Sequence, residues 1–331
     1  MKKIRNKSRG QIAVLYAGII AVLLGAIGLC TDVAVMYVNW QTVQKAADAG
    51  ALAGAAQFLP TAPPFTAAAG CGGDVEHQAG CTYAFNNSAA LSEINVTVPA
   101  TTVPASVPAA YASQTVQVTV NRTNIPVLFG AALGITTPYQ ANVTAVAVGP
   151  LPLIGAKNPF PAGIPSGQPM TPGTQFSLTN ADPGKNASYG PGNWGWLDIG
   201  GSGANNLQDN ISNGCDCNLK VGQSITPKTG ESWGPVSGAV DALITNPGPP
   251  PATLTGNESQ LVTVPIVTPF TNGSSAVTIL GFAEVWLVSD IVKSSNSQVL
   301  TVQFVKFVPN DGLGGGGPND FGAYSKPALV Q

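Results

Sequence analysis

Charge is what this chain has least of. Only 9% of its 331 residues are Asp, Glu, Lys or Arg, against about a quarter in an ordinary soluble domain. It has a single histidine, His77, so chemistry built on imidazole would rest on one side chain. Five of the fourteen basic residues (Lys2, Lys3, Arg5, Lys7 and Arg9) stand in the first nine positions. Beyond them nine basic residues face sixteen acidic ones, a balance of −7. No basic patch follows, so nucleic acid is not an expected partner. A repeat of fixed period is missing. So is the Lys with Ser or Thr that would make Gly200-Gly201-Ser202-Gly203 a phosphate loop. That segment reads instead as a strand-to-helix turn requiring positive φ.

Glycine and proline are plentiful, at 39 and 28 residues. The 44% hydrophobic fraction leaves enough material for a core, which argues against wholesale disorder. The length suits one or two domains.

The longest apolar run extends from Ile12 to Cys30 without a charge. At 1.5 Å per residue it measures about 28 Å, close to the ~30 Å hydrocarbon core of a bilayer. Ile12, Leu15, Leu23, Leu24 and Leu29 are its anchoring side chains. The basic cluster before it predicts a cytoplasmic N-terminus and an exported C-terminal part. A cleaved signal peptide would have a shorter apolar region and a small-x-small site. Here the run passes into Asp32, Val33, Val35, Met36 and Tyr37 with no A-x-A break, so an uncleaved anchor is the expectation. Asp32 has two readings: a carboxylate paired with a partner inside the membrane, or an ionised headgroup-region residue that needs no partner. The second is preferred.

Helical spacing continues outside the bilayer. Val35, Val38, Trp40, Val43, Ala46, Ala47, Gly50, Ala51, Gly54, Ala55 and Phe58 form the apolar side, with Gln41, Gln44, Lys45 and Asp48 on the polar side. Pro60 and Pro63-Pro64 end the pattern. The spacing predicts one helix of about 45 residues, or two in line. Its Ala/Gly-rich surface permits close approach to the chain's own domain or to another helix. Asp32, Tyr37, Ala46, Ala47, Asp48, Ala51 and Gly54 mark that interaction surface.

Three strings carry a family resemblance: Arg9-Gly10-Gln11 before the apolar run, Gly28-Leu29-Cys30-Thr31-Asp32-Val33, and Gln44-Lys45-Ala46-Ala47-Asp48-Ala49-Gly50-Ala51-Leu52-Ala53-Gly54-Ala55. Together they resemble the N-terminal module of the TadE/TadG-like family of Flp (tight adherence) pilus-assembly components, most specifically in the last string. The resemblance implies a bitopic inner-membrane protein of bacteria with a periplasmic or surface-exposed C-terminal domain. It implies contacts with other pilus-assembly or envelope proteins, and neither catalytic activity, cofactor nor small-molecule substrate. Leu15 stands where prepilin-like members carry Glu, so processing after Gly10 is not carried over. Nor is metal-dependent adhesion, for want of a D-x-S-x-S motif.

The fold class expected is α+β: a long transmembrane helix extending outward, then a β-rich extracytoplasmic region with short helices. Three segments are expected: 1–59 as basic stub, anchor and extended helix; 60–150 as a small α+β unit; 151–331 as a β-rich domain. In the second, a short helix is predicted at Thr82–Leu91, another at Pro126–Leu133, and strands at Ile94–Val98, Thr115–Val120 and Ala141–Val148. In the third, strands are predicted at Gln175–Thr179, Trp194–Ile199, Lys220–Ile225, Leu261–Val267, Val277–Val288 and Gln298–Phe307. Helices are predicted there at Ala204–Asn213 and Pro235–Ile244, and a flexible loop at Gly312–Pro318.

Few residues invite chemistry. Cys30 reads as a small apolar residue of the span. Cys71, Cys81, Cys215 and Cys217 form an even set beyond an export signal, which predicts disulfides. Cys71–Cys81 is the first choice; Cys215–Cys217 and cross-pairing stay open. Zinc is disfavoured because the set lacks C-x₂-C spacing. His77 is read as a solvent-exposed loop residue. Asp182, Asp198, Glu231 and Glu284 could supply an acid/base pair for glycan cleavage, but nothing in their spacing groups them. Trp194 and Trp196 alternate onto one sheet face, where core packing is the expected fate.

Overall fold

The computed structural model describes residues 8–59, 62, 64–178, 189, 193–229, 232–271, 274–289, 292–294 and 297–330. Lys2, Lys3, Arg5, Lys7, Pro60, Pro63, Asp182 and Glu231 lie outside the described residues. Helices α1 (Ser8–Ala56) and α2 (Val75–Asn86) come first. Strands β1 (Ile94–Thr97), β2 (Thr115–Ile125) and β3 (Tyr139–Val148) follow. Next are β4 (Leu153–Lys157), β5 (Ile164–Pro165), β6 (Gln175–Ser177), β7 (Asn193–Leu197) and α3 (Ala204–Asn213). β8 (Asn218–Lys220), β9 (Ser224–Ile225) and β10 (Pro227–Thr229) lead to α4 (Trp233–Leu243). The last strands are β11 (Leu261–Val267), β12 (Val277–Leu287), β13 (Val292–Ser294), β14 (Ser297–Val299), β15 (Thr301–Val305), β16 (Gly312–Gly315) and β17 (Ala328–Val330). The class is the expected α+β, with one long apolar helix ahead of a β-rich region.

The helix α1 runs unbroken for 49 residues, about 74 Å at the α-helical rise. Its two ends have opposite surroundings. From residue 12 to residue 27 every side chain is exposed, Val14 and Val22 by more than 70%. That apolar surface is therefore not packed on the rest of the chain, and α1 is long and apolar enough to cross a membrane. From Val43 to Ala55, by contrast, Val43, Ala46, Ala47, Ala51 and Ala55 are wholly buried. Their three- and four-residue spacing puts them on one helix face.

What buries them is the chain's own sheet. The strands run in the order β1-β2-β3-β17, all antiparallel. Alternation turns Val116, Val118 and Val120 of β2, and Ala141, Val143, Ala145 and Ala147 of β3, toward α1. A second helix closes the layer. The backbones of α1 and α2 meet at Gly50 and Gly80, where a Cβ on Gly50 would lie 2.6 Å from the Gly80 carbonyl oxygen. Only hydrogen fits there. The Cys71–Cys81 disulfide, with 5.6 Å between Cα atoms, ties the segment just before α2 to the middle of that helix. The helix predicted at Thr82–Leu91 begins about two turns earlier and ends before Ser88, which adopts φ 76°.

This core draws on distant parts of the chain. Leu329 of β17 pairs with Ala147 of β3, so the far C-terminal end supplies the edge strand beside residues 139–148. The divisions drawn at 59/60 and 150/151 both run through this one layer.

A six-stranded assembly forms the second core. Its order is β5-β11-β12-β15-β6, with β9 paired to the start of β12. Helices α3 and α4 cover one face, where Leu207, Ile211, Val236 and Val240 pack on Val264, Ile266, Val285 and Leu287. Leu153, Leu197, Leu219, Ile279 and Phe282 fill a separate cluster. Two expectations need correction here. Gly312–Gly315 is strand β16, paired antiparallel with β4, and not a flexible loop. The strand predicted at Lys220–Ile225 is split in two, because Gly222 turns the chain at φ 83°.

Candidate interaction surface

Asp32 follows the exposed apolar stretch on α1, and it is 2% exposed. Its environment comes from the β2–β3 connection. Leu128 N–H donates to Oδ1 at 3.0 Å, Phe129 N–H to the same oxygen at 3.1 Å, and Gly130 N–H to Oδ2 at 2.6 Å. The Tyr139 hydroxyl reaches Oδ2 at 3.4 Å. Three successive amides thus converge on one carboxylate, an arrangement that satisfies acceptor and donors together. A Cβ at Gly130 would stand 3.0 Å from both Asp32 Oδ2 and the Tyr139 oxygen, so any other residue there would press on the carboxylate. Neither sequence reading of Asp32 anticipated this: the carboxylate is bound by a loop of its own chain about a hundred residues on. The helix expected at Pro126–Leu133 is a short 3-10 turn, Gly130–Leu133.

One turn earlier on α1, Gly28 is buried beneath Phe129. A Cβ at Gly28 would lie 2.8 Å from the Phe129 Cβ. The strand β2 therefore descends along α1. Val116 lies at Gly54, Val118 at Gly50, and the connection after β2 at Asp32 and Gly28. Midway, Arg122 Nη1 donates to Asn39 Oδ1 at 3.2 Å. The Arg122 Nη2 also donates to the Ser88 carbonyl at 2.6 Å and pairs with Glu93 at 3.2 Å. Burial works to raise the Glu93 carboxyl pKa, but hydrogen bonds from Arg122 and the Ala90 N–H outweigh it, leaving a value below the ordinary one.

The residues read from sequence as an interaction surface divide between two environments. Ala46, Ala47, Ala51 and Gly54 face the chain's own sheet and α2, and are buried. Asp48 is half-buried and accepts a hydrogen bond from Gln44 at 2.7 Å. Tyr37 stays open: it is 56% exposed and stacks on Trp40 with ring centroids 6.3 Å apart. The side of α1 that stays exposed just beyond Asp32 carries Val33, Met36, Tyr37, Val38 and Trp40, and not the Ala/Gly stripe. Sequence spacing alone could not separate the two faces, since both carry apolar side chains. The anchoring residues Ile12, Leu15, Leu23, Leu24 and Leu29 are all exposed.

Residues singled out for chemistry do not assemble. Cys71–Cys81 and Cys215–Cys217 are both local pairs, and Cys30 is free and exposed. His77 sits on α2 and is half-buried, not on an exposed loop. Trp196 is buried in the second core with Trp194 packed against it. Glu284 does occupy a notable place. It is 1% exposed in β12, accepts a hydrogen bond from the Thr263 hydroxyl, and borders a cleft of about 210 Å³ with Lys157, Asn158 and Asp311. Burial raises its pKa to about 8; the Thr263 bond opposes this and the Asp311 charge adds to it. Asp198 does not line that cleft. Among the described residues, no three His, Cys, Asp or Glu side chains stand together as a metal site would need.

Residues 10–57 match the family model described as "Putative Flp pilus-assembly TadE/G-like". The matched span coincides with α1, from within its first turn to one residue past its end. No curated protein and no solved structure matches the chain.

Proposed function

We propose that this protein is a single-pass, membrane-anchored component of a Flp/Tad-type pilus-assembly system, acting through protein contacts and not through catalysis. One observation carries the reading. The segment matched by the pilus-assembly family is a single helix, exposed and apolar over one bilayer thickness and then built into the core of the following sheet. Such a helix holds a folded unit at a fixed distance from the membrane. The basic N-terminal cluster supports a cytoplasmic N-terminus in the inner membrane, with the β-rich region on the opposite side.

Two measurements on the host cell test this. Deleting the gene should abolish or sharply reduce surface pili seen by electron microscopy, and the full chain should restore them. Added protease should cut after residue 60 only from the periplasmic side. Normal pili in the deletion strain would remove the pilus role, and digestion of that region from the cytoplasmic side would reverse the topology.

A second reading, an anchored ligand-binding protein, is favoured by one feature: the polar cleft beside buried Glu284. Small polar solutes that raise the melting temperature of the wild type but not of Glu284→Gln would support it.

A further inference from the structure

The connection between β2 and β3 exposes an unusual amount of apolar surface. Leu128, Phe129, Leu133 and Ile135 are 50%, 51%, 65% and 38% exposed. No charged residue occurs from position 123 to position 156. A solvated hairpin tip ordinarily carries polar turn residues. This one is apolar on its outside.

Its position relative to α1 says what covers it. Phe129 packs directly on Gly28, inside the stretch of α1 whose every other face is apolar and exposed. With Ile12 at the inner edge of the hydrocarbon core, Asp32 lies about 30 Å along the helix, at the outer edge. Gly28 then lies about 6 Å below that edge. Segments that lie in the interface bury their apolar face about 5–10 Å deep. The tip's exposed side chains are continuous with the lipid-facing surface of α1 and at a matching depth.

The backbone of the tip is prepared for the same environment. Irregular chain enters hydrocarbon only where its amides are satisfied internally. Leu128, Phe129 and Gly130 N–H donate to Asp32. Ala132 N–H donates to Phe129 O, Gly134 N–H to Ala131 O and Ile135 N–H to Gly130 O, all at 3.0–3.1 Å. A tip destined for water would have no need of a buried carboxylate to bind three of its amides.

We propose that residues 126–135 form a second membrane contact, dipping into the outer leaflet beside α1 and fixing the sheet upright on the bilayer. Asp32 acts as the internal acceptor that lets this backbone leave water. The proposal rests on α1 being the membrane span, and the test separates the two claims.

The full chain, with Cys30→Ala, is reconstituted in phosphatidylcholine/phosphatidylglycerol vesicles. A nitroxide is placed in turn at Leu133→Cys, Ile135→Cys, Leu24→Cys and Lys326→Cys, and its collisions with oxygen and with a water-soluble nickel chelate are measured. Leu133 and Ile135 are exposed and Lys326 lies beside the distal edge strand, so none of these changes disturbs a core. The expected oxygen-to-nickel ratio at Leu133 and Ile135 is about tenfold above that at Lys326 and close to that at Leu24, since water is excluded from the acyl region. A water-like ratio at Leu133 and Ile135, with a lipid-like one at Leu24, overturns the tip and leaves the anchor standing. A water-like ratio at Leu24 overturns both. Shielding of the tip from both reagents would mean that protein covers it, which also overturns the lipid assignment.

Discussion

Replacing Gly50 with Ala tests whether the outer half of α1 is core. In an isolated helix the change is favourable by about 1 kcal/mol, because Ala restricts the unfolded chain and Gly does not. Here the added methyl would lie 2.6 Å from the Gly80 carbonyl oxygen and 3.1 Å from the Ala84 Cβ. The helix α2 would have to retreat by several tenths of an ångström. It has no free direction, since Gly80 itself abuts Val96 of β1, with an added Cβ only 3.2 Å away, and Cys81 is bonded to Cys71. Overpacking of this kind costs about 1–3 kcal/mol. Set against the propensity gain, the steric cost leaves a net loss of up to about 2 kcal/mol. For units of this size that is a fall of up to roughly 8 °C in melting temperature relative to the wild type, and more relative to a variant that keeps the propensity gain. Thermal unfolding of the full chain in detergent, followed by circular dichroism, measures it. Gly25→Ala is the control, because a Cβ there meets nothing within 4 Å. A Gly50→Ala variant as stable as Gly25→Ala would refute the packing argument.

Two other perturbations have defined outcomes. Asp32→Ala should strand the amides of residues 128–130, and chymotrypsin should then cut the detergent-solubilised chain at Leu128 or Phe129 where the wild type resists; equal resistance would mean that the carboxylate does not hold the loop. Glu284 should make stability depend on pH in a specific sense: with a folded pKa of about 8 against an unfolded value near 4.3, the folded state holds a proton that the unfolded state has lost, so stability falls from about pH 4 to pH 8 and is flat above. The full effect is on the order of 5 kcal/mol, and Glu284→Gln, which stays neutral, should flatten the melting-temperature profile between pH 5 and 8; an unchanged profile would place the titration elsewhere.

The parts of the fold legible in sequence are those that local period specifies. The run of α1 from Ile12 to Phe58, the strand Leu261–Val267 and the helix Ala204–Asn213 all follow from spacing and breakers, and the structure has them at or within a few residues of those bounds. What was illegible depends on partners remote in sequence. The spacing of Ala46, Ala47 and Ala51 shows a face ready for close packing, yet nothing in it names the valines of β2, some seventy residues on, as what covers it. Gly312–Gly315 has no strand propensity of its own and becomes a strand because β4 supplies its hydrogen bonds. Asp32 is the sharpest case. Its position near the edge of an apolar run was visible, but its acceptor role needs three amides of a segment whose sequence reads as a short apolar helix. Glu284 was visible as a carboxylate inside a strand pattern, without sign of the cleft beside it.

The aromatic pair Tyr37–Trp40 is exposed on α1 shortly after Asp32, and a photo-crosslinking amino acid at Tyr37 in piliated cells tests the proposed role most directly. The account predicts an adduct from position 37 to a component of the pilus-assembly apparatus, identified by mass spectrometry, and none from Ala47, which faces the chain's own sheet. Piliated cells that yield no pilus-assembly adduct from position 37 would contradict it.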